Sequence, residues 1–199
     1  MKEYIINNSI LIRIWLKDFP FEEYVSTYNK YNYPSFTETE TILYNIAIEI
    51  YIPSGGRAKY GFIGASFNSD YKTGFSLRLP DFSIEKGVFN NSSYTFDEVY
   101  IGITDEYIEA IHNTIRDLAI SDALPIGCLT FNRSAFSLVG TSYHVVCMLS
   151  KLIIDFILHN RSISIKEILL RFITKNNLYP LSNETIEIKE SCDLFNENE

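Results

Sequence analysis

The stretch Ser54-Gly55-Gly56-Arg57-Ala58-Lys59-Tyr60-Gly61 sets two cations and a tyrosine on a glycine hinge, straight after a run of alternating isoleucines. A plain hairpin needs only the glycines, so Arg57 and Lys59 point to something that the loop touches. Other chemistry is sparse. No Gly-x-x-x-x-Gly-Lys-Ser/Thr occurs, and the octapeptide sits between strands rather than opening a helix, so it is no phosphate loop. No Gly-x-Ser-x-Gly elbow occurs either. Ser142 and His144 are close in sequence, but both fall in a first helical turn with no third group to orient a base, which argues against a hydrolase. His112, His144 and His159 each lie on or beside a predicted helix without a ligand partner at useful spacing, so packed or surface imidazoles are expected rather than a metal site. The acids of 97–109 read mostly as a solvated loop and a helix N-terminus, and nothing in their pattern supports the alternative of a paired-carboxylate site. These residues predict a chain that is not an enzyme and needs no cofactor.

Charge is unevenly divided along the 199 residues, whose net charge is −8. Residues 81–125 hold nine acids against two bases, whereas 51–80 hold four bases against one acid and 126–162 three against one. The acidic total argues against non-specific affinity for nucleic acid. The octapeptide nevertheless lies in a positive segment. Cys128, Cys147 and Cys192 are odd in number and far apart, which fits free thiols in a reducing cytoplasm better than disulfides or zinc. No apolar run reaches the ~18 residues that span a bilayer, and the first residues carry charges without a cleavage signal, so neither membrane nor export is expected.

The elements that position the octapeptide follow from periodicity. Ile42, Ile46, Ile48, Ile50 and Ile52 recur at even spacing and predict a strand over 41–52, with a second over 62–69 and a long tip between them. Residues 73–82 alternate as a third strand, and 83–101 read as a surface connection. Thr104 is a plausible N-cap for a helix carrying Ile108, Ile111, Ile115 and Leu118. Residues 125–136 alternate as a strand, a second helix runs from Thr141 or Ser142 to about His159, and a third covers 164–177. Lys151 and Asp155 can pair on the outer face of the second helix. Residues 28–36 read as a loop, and the acidic end from Glu190 onward is expected to fray. The order strand–strand–strand–helix–strand–helix predicts one α+β domain over 1–199, a single sheet with helices on one face.

The octapeptide resembles the Ser-Gly-Gly-Arg-Gly-Gln-Tyr-Gly stretch in the fourth domain of bacterial elongation factor G and its ribosomal-protection relatives. Further matches follow in the same order. "TGFSL" (73–77) looks like that domain's glycine-plus-aromatic strand, and residues 101–119 resemble its Gly-x-x-Pro-x-Glu-Tyr-Ile helix start. "ALPIGCLTF" (123–131) looks like its next strand, and "LVGTS" (138–142) stands where the family has Asp-Val-Asp-Ser-Ser. The similarity covers roughly residues 41–160, with 1–40 and 161–199 as extensions.

The resemblance implies the fold of the second domain of ribosomal protein S five, with its left-handed β-α-β crossover. It implies that residues 54–61 and 134–141 meet at one tip, which in the translocase enters the decoding region. Candidate contacts to the ribosome or structured RNA are then Ser54, Gly55, Gly56, Arg57, Lys59, Tyr60, Arg133 and Ser137. Arg57 and Lys59 would meet phosphates, and Tyr60 would stack on a base or pack under the loop. The departures are as informative. The family's tip histidine falls on Ser137, its acidic positions on Leu138 and Gly140, and its pre-helix proline on Thr104 or Asp105. No GTPase domain is present. A stand-alone, non-enzymatic domain IV-like protein of translation is therefore expected, binding the ribosome or structured RNA. The alternative is an interaction module of inhibitor or immunity type, motivated by the acidic belt of 81–125 and the aromatic-rich ends. A solvated tip inherited with the fold is the plainest reading of the octapeptide.

Overall fold

The structure is a computed structural model and describes residues 1–23, 27–35, 37–38, 43–54, 57–70, 73–90, 92–159, 162–178 and 186–190. Its organising strand is the isoleucine run. Ile46, Ile48, Ile50 and Ile52 are all buried on one side of β4 (Leu43–Ser54), because successive side chains of a strand alternate between faces. The intervening Ala47, Glu49 and Tyr51 face the other way. β4 pairs antiparallel with β5 (Arg57–Asn68) over its whole length, from Leu43 opposite Asn68 to Ser54 opposite Arg57. The predicted long tip is thus replaced by strand, which runs through the octapeptide itself. Only Gly55 and Gly56 separate the two strands, and they lie outside the described residues.

Around this hairpin the described residues form a ten-stranded, mostly antiparallel sheet. β1 (Lys2–Ile6), β2 (Ile10–Trp15) and the short β10 (Ile188–Glu190) extend it beside β4. On the far side β9 (Gly127–Ser137) pairs antiparallel with β5, then β6 (Phe75–Pro80) pairs parallel with β9, and β3 (Tyr28–Tyr33) closes that edge. β7 (Ile84–Val88) and β8 (Val99–Ile103) form a pair whose second strand joins the end of β9. Two expectations need correction here. Residues 28–33 are an edge strand rather than a loop, and the connection over 83–101 carries most of two strands. The extensions are built into the sheet.

Three helices complete the α+β architecture: α1 (Asp105–Ile120), α2 (Tyr143–His159) and α3 (Ile165–Lys175). Thr104 occupies the cap position of α1, although its hydroxyl makes no capping bond. Ser164 does cap α3, its side chain accepting the Glu167 N–H, which satisfies one of the orphan donors of a helix start. All three helices bury their apolar stripes in one core with the isoleucine face of the sheet. α2 lies close over β5, where a Cβ on Gly61 would stand 2.7 Å from Val145 Cγ1 and 2.9 Å from Leu149 Cδ1. The expected Lys151–Asp155 surface pair is absent among the described residues; Asp155 is instead half-buried toward α3.

Among the described residues, the opposite face of the sheet carries no helix. It is covered by irregular chain, and a second, aromatic core of Trp15, Tyr60, Phe62, Phe89 and Tyr94 lies beneath, with Phe19 and Phe21 packed against it. No helix among the described residues is long and apolar enough to cross a membrane. Cys128 and Cys147 are free thiols.

Candidate recognition surface at the hairpin end

Register decides which side chains reach the end of the hairpin. Lys59 pairs with Ile52 and so faces the helix side, while Tyr60 pairs with Tyr51 and faces the aromatic side. Lys59 is exposed. It makes no ion pair among the described residues. Tyr60 is fully buried, its ring 5.2 Å from that of Tyr94. Of the two roles open to Tyr60 it takes packing, and stacking on a base is excluded by its burial.

The second loop does arrive at the same place. The Tyr60 N–H donates to the Gly140 carbonyl at 2.9 Å, tying the turn after β9 to β5. That turn is internally closed. Ser137 is fully buried, and its Oγ accepts the N–H groups of Val139 at 3.2 Å and Gly140 at 2.9 Å. The Ser137 N–H donates to Thr141 Oγ1 at 2.9 Å, and the Thr141 N–H donates back to the Ser137 carbonyl at 3.1 Å. Ser137 is therefore the internal brace of the turn and not a contact residue. What the turn presents is Leu138, 73% exposed, and Val139, 59% exposed.

A third segment, 89–98, completes this end. Tyr94 packs where a Gly140 Cβ would otherwise stand, and Phe96, 63% exposed, stacks on Tyr51 with ring centroids 6.4 Å apart. Ser137 Oγ also donates to Asp97 Oδ2 at 3.4 Å. Leu138 and Val139 on the turn, and Phe96 on the aromatic side, are thus the exposed apolar groups that these segments bring to the hairpin end. Sequence reasoning registers Leu138 only as a missing acid. The available signal is two consecutive large apolar residues, Leu138 and Val139, in a turn between a strand and a helix.

A further predicted cation, Arg133, is engaged elsewhere. Arg133 donates from Nε to the Phe21 carbonyl at 3.2 Å, lies 3.3 Å from Glu23, and stacks its guanidinium 4.2 Å from the Phe19 ring centroid. It fastens residues 19–23 over the aromatic face, and its assignment as an RNA contact is corrected accordingly. Ser54 and Arg57 form the last pair of the hairpin ladder.

Below the end lies a buried charge that the sequence reading passes over. Glu49, set among the isoleucines but on the opposite parity, is fully buried. Its Oε1 accepts the Ser93 N–H at 2.8 Å and its Oε2 accepts from Arg13 Nη1 at 3.3 Å. Arg13 is shared with Glu3, 2.7 Å from its Nε. Burial pushes the Glu49 carboxyl above its usual range, outweighing the Ser93 N–H and Arg13, which favour the ion. Burial and then the Glu49 carboxylate hold the Tyr60 phenol well above its ordinary value. Glu49 is thereby the anchor of the 89–98 segment rather than an exposed acid. Ser142 caps the first turn of α2, its Oγ accepting the Val145 N–H at 3.4 Å, and His144 is exposed in that same turn.

No family model matches the chain, and no curated protein or solved structure does.

Proposed function

We propose that the chain is a non-enzymatic recognition module that binds a protein partner through the hairpin end, on an elongation factor G domain IV-like scaffold. Three features support the scaffold reading: the β4–β5 hairpin, the parallel pair β6 and β9 joined through α1, and α2 laid across β5. The observation that carries the partner reading is the exposure of Leu138 and Val139 on a turn braced by Ser137 and Thr141. A fixed apolar pair loses little freedom on docking, and large exposed apolar groups at one site mark interaction surfaces. The fitting partner offers an apolar recess for Leu138 and Val139, with an acceptor or acid at its edge for Lys59.

A second reading keeps the ribosome or structured RNA as ligand, and Lys59 is the observation that favours it. Burial of Tyr60 and pairing of Arg133 leave that reading with fewer RNA contacts than the sequence promises. Photocrosslinking separates the two. A photoreactive residue at Val139, in cell extract, is expected to join one stoichiometric protein, with the adduct lost in Leu138→Glu and retained at high salt. Adducts to ribosomal RNA that vanish with salt and in Lys59→Glu would replace the protein reading with the RNA one. Adducts no different from those of a probe at Leu170 on α3 would overturn both.

A further inference from the structure

We propose that the cleft between α2 and α3 binds a free amino acid with an aliphatic side chain. The cleft is a cavity of about 220 Å³ lined by Asp155, His159, Ile163, Ile168, Arg171 and Lys175. It lies on the helix layer and shares no lining residue with the hairpin end. Asp155 and His159 are one turn apart on α2, and Arg171 and Lys175 are one turn apart on α3, so each pair shares a face of its helix. The two faces meet across the cavity.

The charges that meet there do not close on one another. Burial pushes the Asp155 carboxyl up, and the fields of Lys175, His159, Arg171 and Lys151 act against that in favour of its charged form. Asp155 nevertheless makes no ion pair or hydrogen bond with them among the described residues. Arg171 is already compensated, its Nη2 2.7 Å from Glu167 Oε1. The charges left without a direct contact among the described residues are one carboxylate, Asp155, and one ammonium, Lys175, on opposite walls. An inorganic anion would leave Asp155 unanswered, and a simple cation would leave Lys175 unanswered. A ligand carrying both signs answers both walls, its ammonium toward Asp155 and its carboxylate toward Lys175 and the free edge of Arg171. Ile168 is buried and Ile163 half-buried at the same cavity, which supplies an apolar surface for a short hydrocarbon side chain. The volume lies below the ~300–1,000 Å³ of pockets for drug-sized ligands, so the occupant is small.

The test is an NMR titration of the full chain with L-leucine, its amide, its deaminated analogue isocaproate, and inorganic phosphate. Saturable shifts confined to amides of α2 and α3 are expected with L-leucine, and affinities at least about tenfold weaker for the other three. Asp155→Asn and Lys175→Met should each abolish the L-leucine shifts while leaving the spectrum of the folded sheet in place. Isocaproate or phosphate binding as tightly as L-leucine would make the cleft an anion site and overturn the proposal. So would the absence of saturable shifts with L-leucine, or their survival in Asp155→Asn.

Discussion

The N–H of Tyr60 donates to the carbonyl of Gly140 at 2.9 Å, joining the hairpin to the turn after β9 at the point where Lys59 leaves the sheet. One such bond contributes only about 1 kcal/mol. Close approach does more. A Cβ on Gly140 would stand 2.8 Å from Tyr94 Cζ and 3.0 Å from Tyr60 Cβ, so glycine lets three separate segments share one small volume.

Gly140→Ala is therefore expected to push the turn off the hairpin. Overpacking of this kind costs about 1–3 kcal/mol, visible as a lowered Tm. The Val139 crosslink should weaken as well, because the apolar pair is displaced from the hairpin end. An alanine variant with unchanged Tm would show that the three segments are not held against one another.

Arg13 and Glu49 give a second expectation. Arg13→Met leaves the fully buried Glu49 carboxylate with the Ser93 N–H and no cation, and breaking a buried pair from one side costs about 3–5 kcal/mol. The double variant Arg13→Met/Glu49→Gln removes the charge along with its partner and should recover much of that loss. Denaturant unfolding of the two single variants and the double variant measures the coupling. Strictly additive effects would mean that the two side chains do not depend on each other.

The same carboxyl predicts a pH dependence. Burial raises its pKa in the folded chain above the ordinary 4.5, so in the window from 4.5 up to the raised value the folded chain holds more protons than the unfolded one. Stability from this group is fully present below the window and is lost as pH rises through it. Wild-type Tm minus Glu49→Gln Tm should accordingly be larger near the bottom of that window than at neutral pH. A difference that grows with rising pH would reverse the sign and refute the burial effect.

Helical and alternating patterns are local, which is why α1, α2, α3, β4, β6 and β9 are legible in the sequence itself. β3 is not, because Tyr-Asn-Lys-Tyr-Asn-Tyr lacks aliphatic residues and owes its strand form to pairing with β6. β7 is similar, with only Ile84 even partly covered and its ladder supplied by β8. At the hairpin, the place is readable and the orientation is not. A long flexible tip leaves register undefined, whereas the observed ladder puts Lys59 beside Ile52 and turns Tyr60 inward under the 89–98 segment. Arg133 escapes a local reading for a related reason. Its partners, Phe19, Phe21 and Glu23, lie more than a hundred residues away along the chain, and nothing in the local pattern announces them.

Arg133 and Leu138 then make opposite predictions, and the pair tests the recognition surface more sharply than either alone. Arg133→Gln removes the guanidinium that holds residues 19–23 over the aromatic face, so stability should fall by about 1.5–3 kcal/mol, the range for hydrogen bonds to charged groups. Its crosslinking through Val139 should be unchanged below the lowered Tm. Leu138→Glu alters a side chain that is 73% exposed, so stability should stay within about 0.5 kcal/mol. The partner, however, would have to accept a carboxylate in an apolar recess, and the loss should exceed about 2 kcal/mol of binding, the scale of an interface hot spot. Thermal denaturation and the crosslinking yield, measured on both variants, decide it. Loss of the adduct in Arg133→Gln with retention in Leu138→Glu would move the interface from the turn to the aromatic face.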